Sequence, residues 1–145
     1  MNRLHVKLLT VTVGGLLFCN TIAAQANPYT PTIPPPAPKA THLQITQGPE
    51  LEMANDKFAI IKWRSNNPGG SDEHYGIVHY GTNPNELSQT AKSPIRINRY
   101  HSYTVFRVRV AGLSPQTTYY YTVDSMEANG TDDGVKSAVN EFSTR

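Results

Sequence analysis

The sequence predicts an all-β domain: a seven-stranded antiparallel sandwich. From Thr41 onward, apolar residues recur with a period of two. Clusters of Asn, Pro and Gly punctuate the chain at short intervals, and no stretch keeps a helical period for three turns. A length of 145 residues permits one domain with a tail. It is too short for a doubly wound nucleotide-binding enzyme, a TIM barrel or a multi-domain hydrolase.

The order of the first segment is basic, apolar, small. Met1–Lys7 carries Arg3 and Lys7, Leu8–Phe18 is mostly apolar, and Ala24-Gln25-Ala26 supplies the small-x-small pattern of a cleavage site. Residues 1–26 therefore read as a signal peptide cleaved after Ala26. The apolar run falls short of the roughly 20 residues a stable span requires, so no transmembrane anchor is expected after cleavage. Phe18 precedes Cys19 where a lipoprotein anchor needs a small residue. The expected address is secreted or periplasmic.

Cleavage changes the chemistry. Of 13 Lys and Arg residues, Arg3 and Lys7 are lost, leaving 11 cations against 11 anions. A whole-molecule attraction to nucleic acid or acidic membranes is thereby excluded. Cys19, the one cysteine, is lost too. Disulfides, a zinc ribbon and a thiol-pair motif are ruled out, so stability must come from the core.

Residues 27–39, with six prolines, form a Pro-rich linker. Each proline removes a donor and fixes φ, which favours extended polyproline II, a semi-rigid spacer of roughly 3 Å per residue. A ligand for a proline-groove module is the alternative; such modules are chiefly intracellular.

Residues 40–145 hold the sandwich. Strands are expected at His42–Thr46, Lys57–Ser65, Tyr75–Gly81, Glu86–Ala91, Ser102–Ala111, Thr118–Ser125 and Val135–Thr144. Asn66–Gly70, Thr82–Asn85 and Asn129–Gly134 are turn signals between them. Glu50, Glu52 and Asp56 are expected in an acidic loop between the first two strands.

The crossover after the fifth strand is the most specific segment. In Leu113-Ser-Pro115-Gln-Thr117-Thr-Tyr119, Leu113 plugs the end of the core and Pro115 stiffens the crossing. The Tyr119 hydroxyl is expected to bond the backbone near Leu113–Pro115, as in a tyrosine corner. Together with Trp63, Val78 and Tyr80 this pattern resembles a fibronectin type III domain, an immunoglobulin-like sandwich, over about Ala40–Arg145. Val78–Thr82, Leu113–Tyr121 and Phe142–Thr144 are most similar to the amino-terminal domain of purple acid phosphatases. That resemblance implies a sandwich without metal ligands, followed in the family by the dinuclear metal domain. The sequence ends directly after the last expected strand, so phosphatase activity is not expected to carry over.

The resemblance also implies the core faces. Ala59, Ile61, Trp63, Val78, Tyr80, Phe106, Val108, Val110, Tyr119, Tyr121, Val123 and Phe142 point inward, and Tyr120 outward. Each larger side chain contributes about 1.5–3 kcal/mol when fully buried.

No catalytic residues, metal site or cofactor are expected. Asp72-Glu73-His74 offers oxygens and a nitrogen, yet metal sites need ligands converging from several elements. Asp124, Glu127, Asp132 and Asp133 cluster near the last turn and could suit calcium, without EF-hand spacing. Solvated charges are the simpler account of both. No serine lies in a nucleophile elbow, and no Arg-Gly-Asp tripeptide is present.

One surface stands out. Lys62 and Arg64 of the second strand and Arg107 and Arg109 of the fifth share an outward face with Phe58 and Ile60. Like charges across paired strands repel, so this face needs nearby acids or a use. It is the candidate partner-binding face, suited to an unknown protein, an envelope polysaccharide or another anionic polymer. The domain is expected to act as a monomer, either as a non-catalytic interaction module or as an accessory beside a separate secreted metallophosphatase or hydrolase.

Overall fold

The computed structural model describes residues 33–145. The expected signal peptide and cleavage site, and the expected linker through residue 32, lie outside the described residues. Eight strands follow in order: β1 Ile45–Ala54, β2 Phe58–Asn66, β3 Glu73–Gly81, β4 Gln89–Arg96, β5 Tyr103–Ala111, β6 Thr118–Glu127, β7 Asp132–Lys136 and β8 Asn140–Ser143. One sheet runs β1-β2-β5, the other β4-β3-β6-β7, with β8 also paired to β6. All pairings are antiparallel. This is an all-β fibronectin type III-like sandwich.

Alternation builds the core. Along β2, buried Ala59, Ile61, Trp63 and Ser65 alternate with half-exposed Phe58, Ile60, Lys62 and Arg64. The inward residues of both sheets form one cluster that also includes Leu113. Trp63 stacks on Phe106 with ring centroids 5.0 Å apart and planes 13° apart. Gly76 on the facing sheet makes room for this pair, since a Cβ there would lie 2.9 Å from Phe106 and 3.0 Å from Trp63.

The crossover loop is tied at several points. The Ser114 N–H donates to the Tyr119 hydroxyl at 3.0 Å, so the tyrosine oxygen accepts at this corner. Leu113 is buried, and its N–H reaches the Lys57 carbonyl at 3.1 Å. Pro115 is exposed; its carbonyl accepts from the Thr117 hydroxyl at 2.9 Å. The Thr117 N–H donates to the Thr144 hydroxyl at 2.9 Å, joining the loop to the chain's last residues.

Several element boundaries differ from the sequence reading. β3 starts at Glu73, two residues before the expected Tyr75, and β6 runs on to Glu127, past the expected Ser125. The first strand starts three residues later and reaches Ala54, because its ladder to β2 carries three register shifts. Each inserts an extra residue, and this breaks the simple alternation that marks a strand in sequence. Glu50 and Glu52 consequently stand on β1, and only Asp56 lies in the turn. The fourth strand is displaced to Gln89–Arg96 and includes Pro94, which an edge strand tolerates because its missing donor would face outward.

The expected last strand divides into β7 and β8. At the break, the Val123 N–H donates to the Ser137 side chain at 3.0 Å, where a continuing ladder would use a backbone carbonyl. The turn before β7 spans Ala128–Thr131, so Asp132 and Asp133 belong to the strand. The end of the Pro-rich segment touches the domain. The Ala37 N–H reaches the Arg99 carbonyl at 2.6 Å and Lys39 lies 3.1 Å from Asp72, which also pairs with Arg99.

Candidate partner-binding face

The outer face of the β1-β2-β5 sheet is built in rows across the strands. Asn66 stands beside Tyr103. Gln47, Arg64 and Val105 form the next row; Glu50, Lys62 and Arg107 the third; Met53, Ile60 and Arg109 the fourth. Phe58 and Ala111 close the face. All six residues of the candidate face, Phe58, Ile60, Lys62, Arg64, Arg107 and Arg109, therefore share one surface.

The four cations have different surroundings. Lys62 lies 2.9 Å from Glu50, directly opposite on β1. Arg107 donates to Glu52 through Nε at 3.1 Å and Nη2 at 2.7 Å. These pairs relieve the repulsion between Lys62 and Arg107, which face each other across β2 and β5. Arg109 and Arg64 instead sit over aromatic rings. The Arg109 guanidinium carbon is 4.3 Å from the Phe58 ring centre, and that of Arg64 is 3.6 Å from the Tyr103 ring centre. Such cation–π contacts contribute about 0.5–1 kcal/mol at exposed sites.

β-bulges sort these surroundings. Gly48, with φ of 77°, sits where β1 gains a residue against β2 between Gln47 and Glu50. Its Cβ would lie 3.0 Å from the Lys62 carbonyl oxygen, so glycine fits both the left-handed backbone and the close approach. The extra residue carries Glu50 to Lys62 and leaves neutral Gln47 opposite Arg64. Glu52 is the extra residue of the next shift. The sequence reading missed this arrangement because it placed both acids in a loop.

The acidic and histidine residues meet in pairs. The His74 side chain is buried, with Nδ1 3.0 Å from Asp133 and Nε2 3.1 Å from the Ser71 carbonyl. Asp133 also accepts from Ser125 at 2.6 Å. Glu127 accepts the Ser71 N–H at 3.0 Å, and Asp132 accepts the Gly134 N–H at 2.6 Å. Asp124 faces His79 at 2.9 Å. Burial raises the Asp124 pKa, and the neighbouring His79 and Lys136 partly offset that rise. Asp72 is shifted the other way: Arg99 and then Lys39 hold its carboxyl below the ordinary range. Among the described residues, no group of three or more His, Cys, Asp or Glu side chains is placed to hold a metal. No described helix is long and apolar enough to cross a membrane.

Comparison with known proteins supplies the family. The family model described as "Purple acid Phosphatase, N-terminal domain" matches residues 38–144. No curated protein matches the sequence. Among solved structures, the sensor domain of the anti-sigma factor RsgI4 in Pseudobacteroides cellulosolvens is 16% identical, with a TM-score of 0.48. The match covers 70% of this chain and 88% of that one. The third fibronectin III domain of human KIAA0343 protein is 17% identical with a TM-score of 0.36, over 75% of this chain and 82% of that one. The family match spans well over half of the sequence and includes Trp63, Tyr80, Leu113, Pro115, Thr117 and Tyr119. The chain belongs to the purple acid phosphatase N-terminal domain family.

Proposed function

We propose that this chain is an exported, non-catalytic interaction module, secreted or periplasmic, whose β1-β2-β5 face engages an anionic partner. The observation that carries the reading is the pair of arginines, Arg64 and Arg109, laid on aromatic rings of an open sheet face. An aromatic backing holds a guanidinium in place while its edge can still meet an anion. The family match supports a non-catalytic role, since it is to the amino-terminal domain of those phosphatases. It also favours a second reading, an accessory beside a separate metallophosphatase or hydrolase.

The test is retention on columns of anionic polymer and on envelope fractions, at low and high salt. The parent should be retained at low salt and released at high salt, because exposed charges are screened within about 8–10 Å at ordinary ionic strength. Arg64→Gln with Arg109→Gln should abolish retention, and Lys92→Gln with Lys136→Gln on the other sheet should not. Equal retention of a folded Arg64/Arg109 variant would remove the face from consideration. Salt-resistant capture of a co-exported phosphatase would favour the accessory reading.

A further inference from the structure

We infer that the anion-recognising element of this face is one cleft, at Arg64 and Tyr103, and that it takes the carboxylate of an acidic sugar. The inference rests on the reading of the face as anion-binding and narrows it to a site and a ligand class. The cleft has a volume of about 300 Å³ and is lined by Thr46, Gln47, Arg64, Asn66, Ser102 and Tyr103. One cation, no acid and five uncharged polar side chains make up that lining. Asn66 is a fixed wall, since its amide accepts from the Gln44 N–H at 2.8 Å and donates to the His42 carbonyl at 3.0 Å.

Among the described residues, Arg64 and Arg109 both lack a carboxylate partner, and of the two only Arg64 lines the cleft. Lys62 and Arg107 each have a carboxylate within 3 Å, and Arg64 has none within 4 Å among the described residues. Its Nε is buried without a hydrogen-bond partner. Tyr103 covers the guanidinium plane, and His101 stacks with Tyr103 at 5.5 Å. The edge left to meet a ligand is the pair of terminal nitrogens. Two parallel N–H donors match the two oxygens of one carboxylate.

The rest of the lining selects among carboxylates. Hydroxyls of Ser102 and Tyr103 and the amide of Gln47 both donate and accept, while the Thr46 hydroxyl, which donates to the Arg64 carbonyl at 3.3 Å, accepts. A sugar ring offers hydroxyls of the same dual kind beside its carboxylate. An acidic peptide side chain places only methylenes there, so the cleft favours a uronate over a peptide. Lys62 and Arg107, already neutralised by Glu50 and Glu52, play no part in this recognition.

The experiment is calorimetric titration of the full chain with four probes: a polygalacturonate oligomer, its carboxyl-reduced counterpart, dextran sulfate and polyglutamate. The parent should bind polygalacturonate at least tenfold more tightly than each of the others. Arg64→Gln and Tyr103→Leu should each weaken that binding at least tenfold with an unchanged unfolding midpoint. Arg64→Lys should also weaken it, because an ammonium keeps the charge and loses the fork. Lys62→Gln with Arg107→Gln should leave it within twofold.

Binding lost in Lys62→Gln with Arg107→Gln but kept in Arg64→Gln overturns the cleft and leaves the anionic face standing. Equal affinity for dextran sulfate overturns the carboxylate class, and tighter binding of polyglutamate overturns the sugar. A parent that binds none of the anionic probes removes the anion-binding reading of the whole face. If Tyr103→Leu unfolds, the Arg64 variants decide the matter alone.

Discussion

The two sheets treat polar groups on their outer sides differently. On β1-β2-β5 the Arg107–Glu52 pair lies in water: the Arg107 side chain is 61% exposed and that of Glu52 31%. On β3 and β6 they are drawn under cover. Thr122 is buried, and the Asp124 side chain retains 13% of its exposure against His79. On the inward face at the end of the same sheet, His74, Asp133 and Ser125 form a buried chain of polar contacts. An exposed pair can be remade with water at little cost, whereas a covered pair such as Asp124 with His79 depends on the partner it has. The first sheet is therefore free to change partners, and the second holds the fold.

The sharpest way to break this comparison is Asp133→Ala. It removes the partner of both His74 Nδ1 and Ser125, and should cost about 2–4 kcal/mol in urea unfolding. A loss below about 1 kcal/mol would place Asp133 with the exposed pairs. Next in size is Tyr119→Phe, expected to cost about 1–2 kcal/mol because it leaves the Ser114 N–H without its acceptor. An unchanged unfolding midpoint would show that the corner bond carries no stability.

Two aspartates sharpen the contrast through pH. Asp124 has a raised pKa in the folded state, so its favourable contribution is complete below the ordinary value of 3.8 and is lost as pH rises through the folded value. Asp124→Asn, facing His79 and Lys136 with Asp132 nearby, should remove that loss and raise relative stability at neutral pH. Asp72 has a lowered pKa, so its contribution is present above 3.8 and disappears as pH falls through its folded value. Asp72→Asn should therefore cost stability only on the neutral side. Unfolding midpoints from acid to neutral pH should give slopes of opposite sign for the two variants; slopes of the same sign would refute the contrast. The smallest effect is expected on the first sheet: Lys62→Ala should change stability by less than about 1 kcal/mol, and by nothing measurable in high salt.

The inward faces were legible because burial on a pleated strand imposes a period of two. Ala59-x-Ile61-x-Trp63 and Phe106-x-Val108-x-Val110 keep that period and are buried. β1 was not legible beyond Thr46, since three inserted residues scramble its alternation, and the acids at Glu50 and Glu52 then look like a loop. The cations of the candidate face could be placed from β2 and β5 alone, but their pairing could not, because the partners come from the scrambled strand. His74 looked like a loop residue beside Asp72 and Glu73. Its burial depends on Asp133, 59 residues away, and local pattern does not encode such a distance. The corner tyrosine was legible as a residue, and the direction of its hydrogen bond emerged only from the backbone geometry.

The position of β5 has a further consequence. It is an end strand of its sheet, hydrogen-bonded on one side to β2. Its sequence, Tyr-Thr-Val-Phe-Arg-Val-Arg-Val-Ala, is rich in β-branched and aromatic residues, the composition that invites a second copy to add as another strand. Arg107 and Arg109 fall at alternate outward positions along it. A second β5 docking edge to edge in antiparallel register would bring two pairs of arginines into opposition across the new seam. Arginines facing each other across such a seam would repel, which disfavours that pairing.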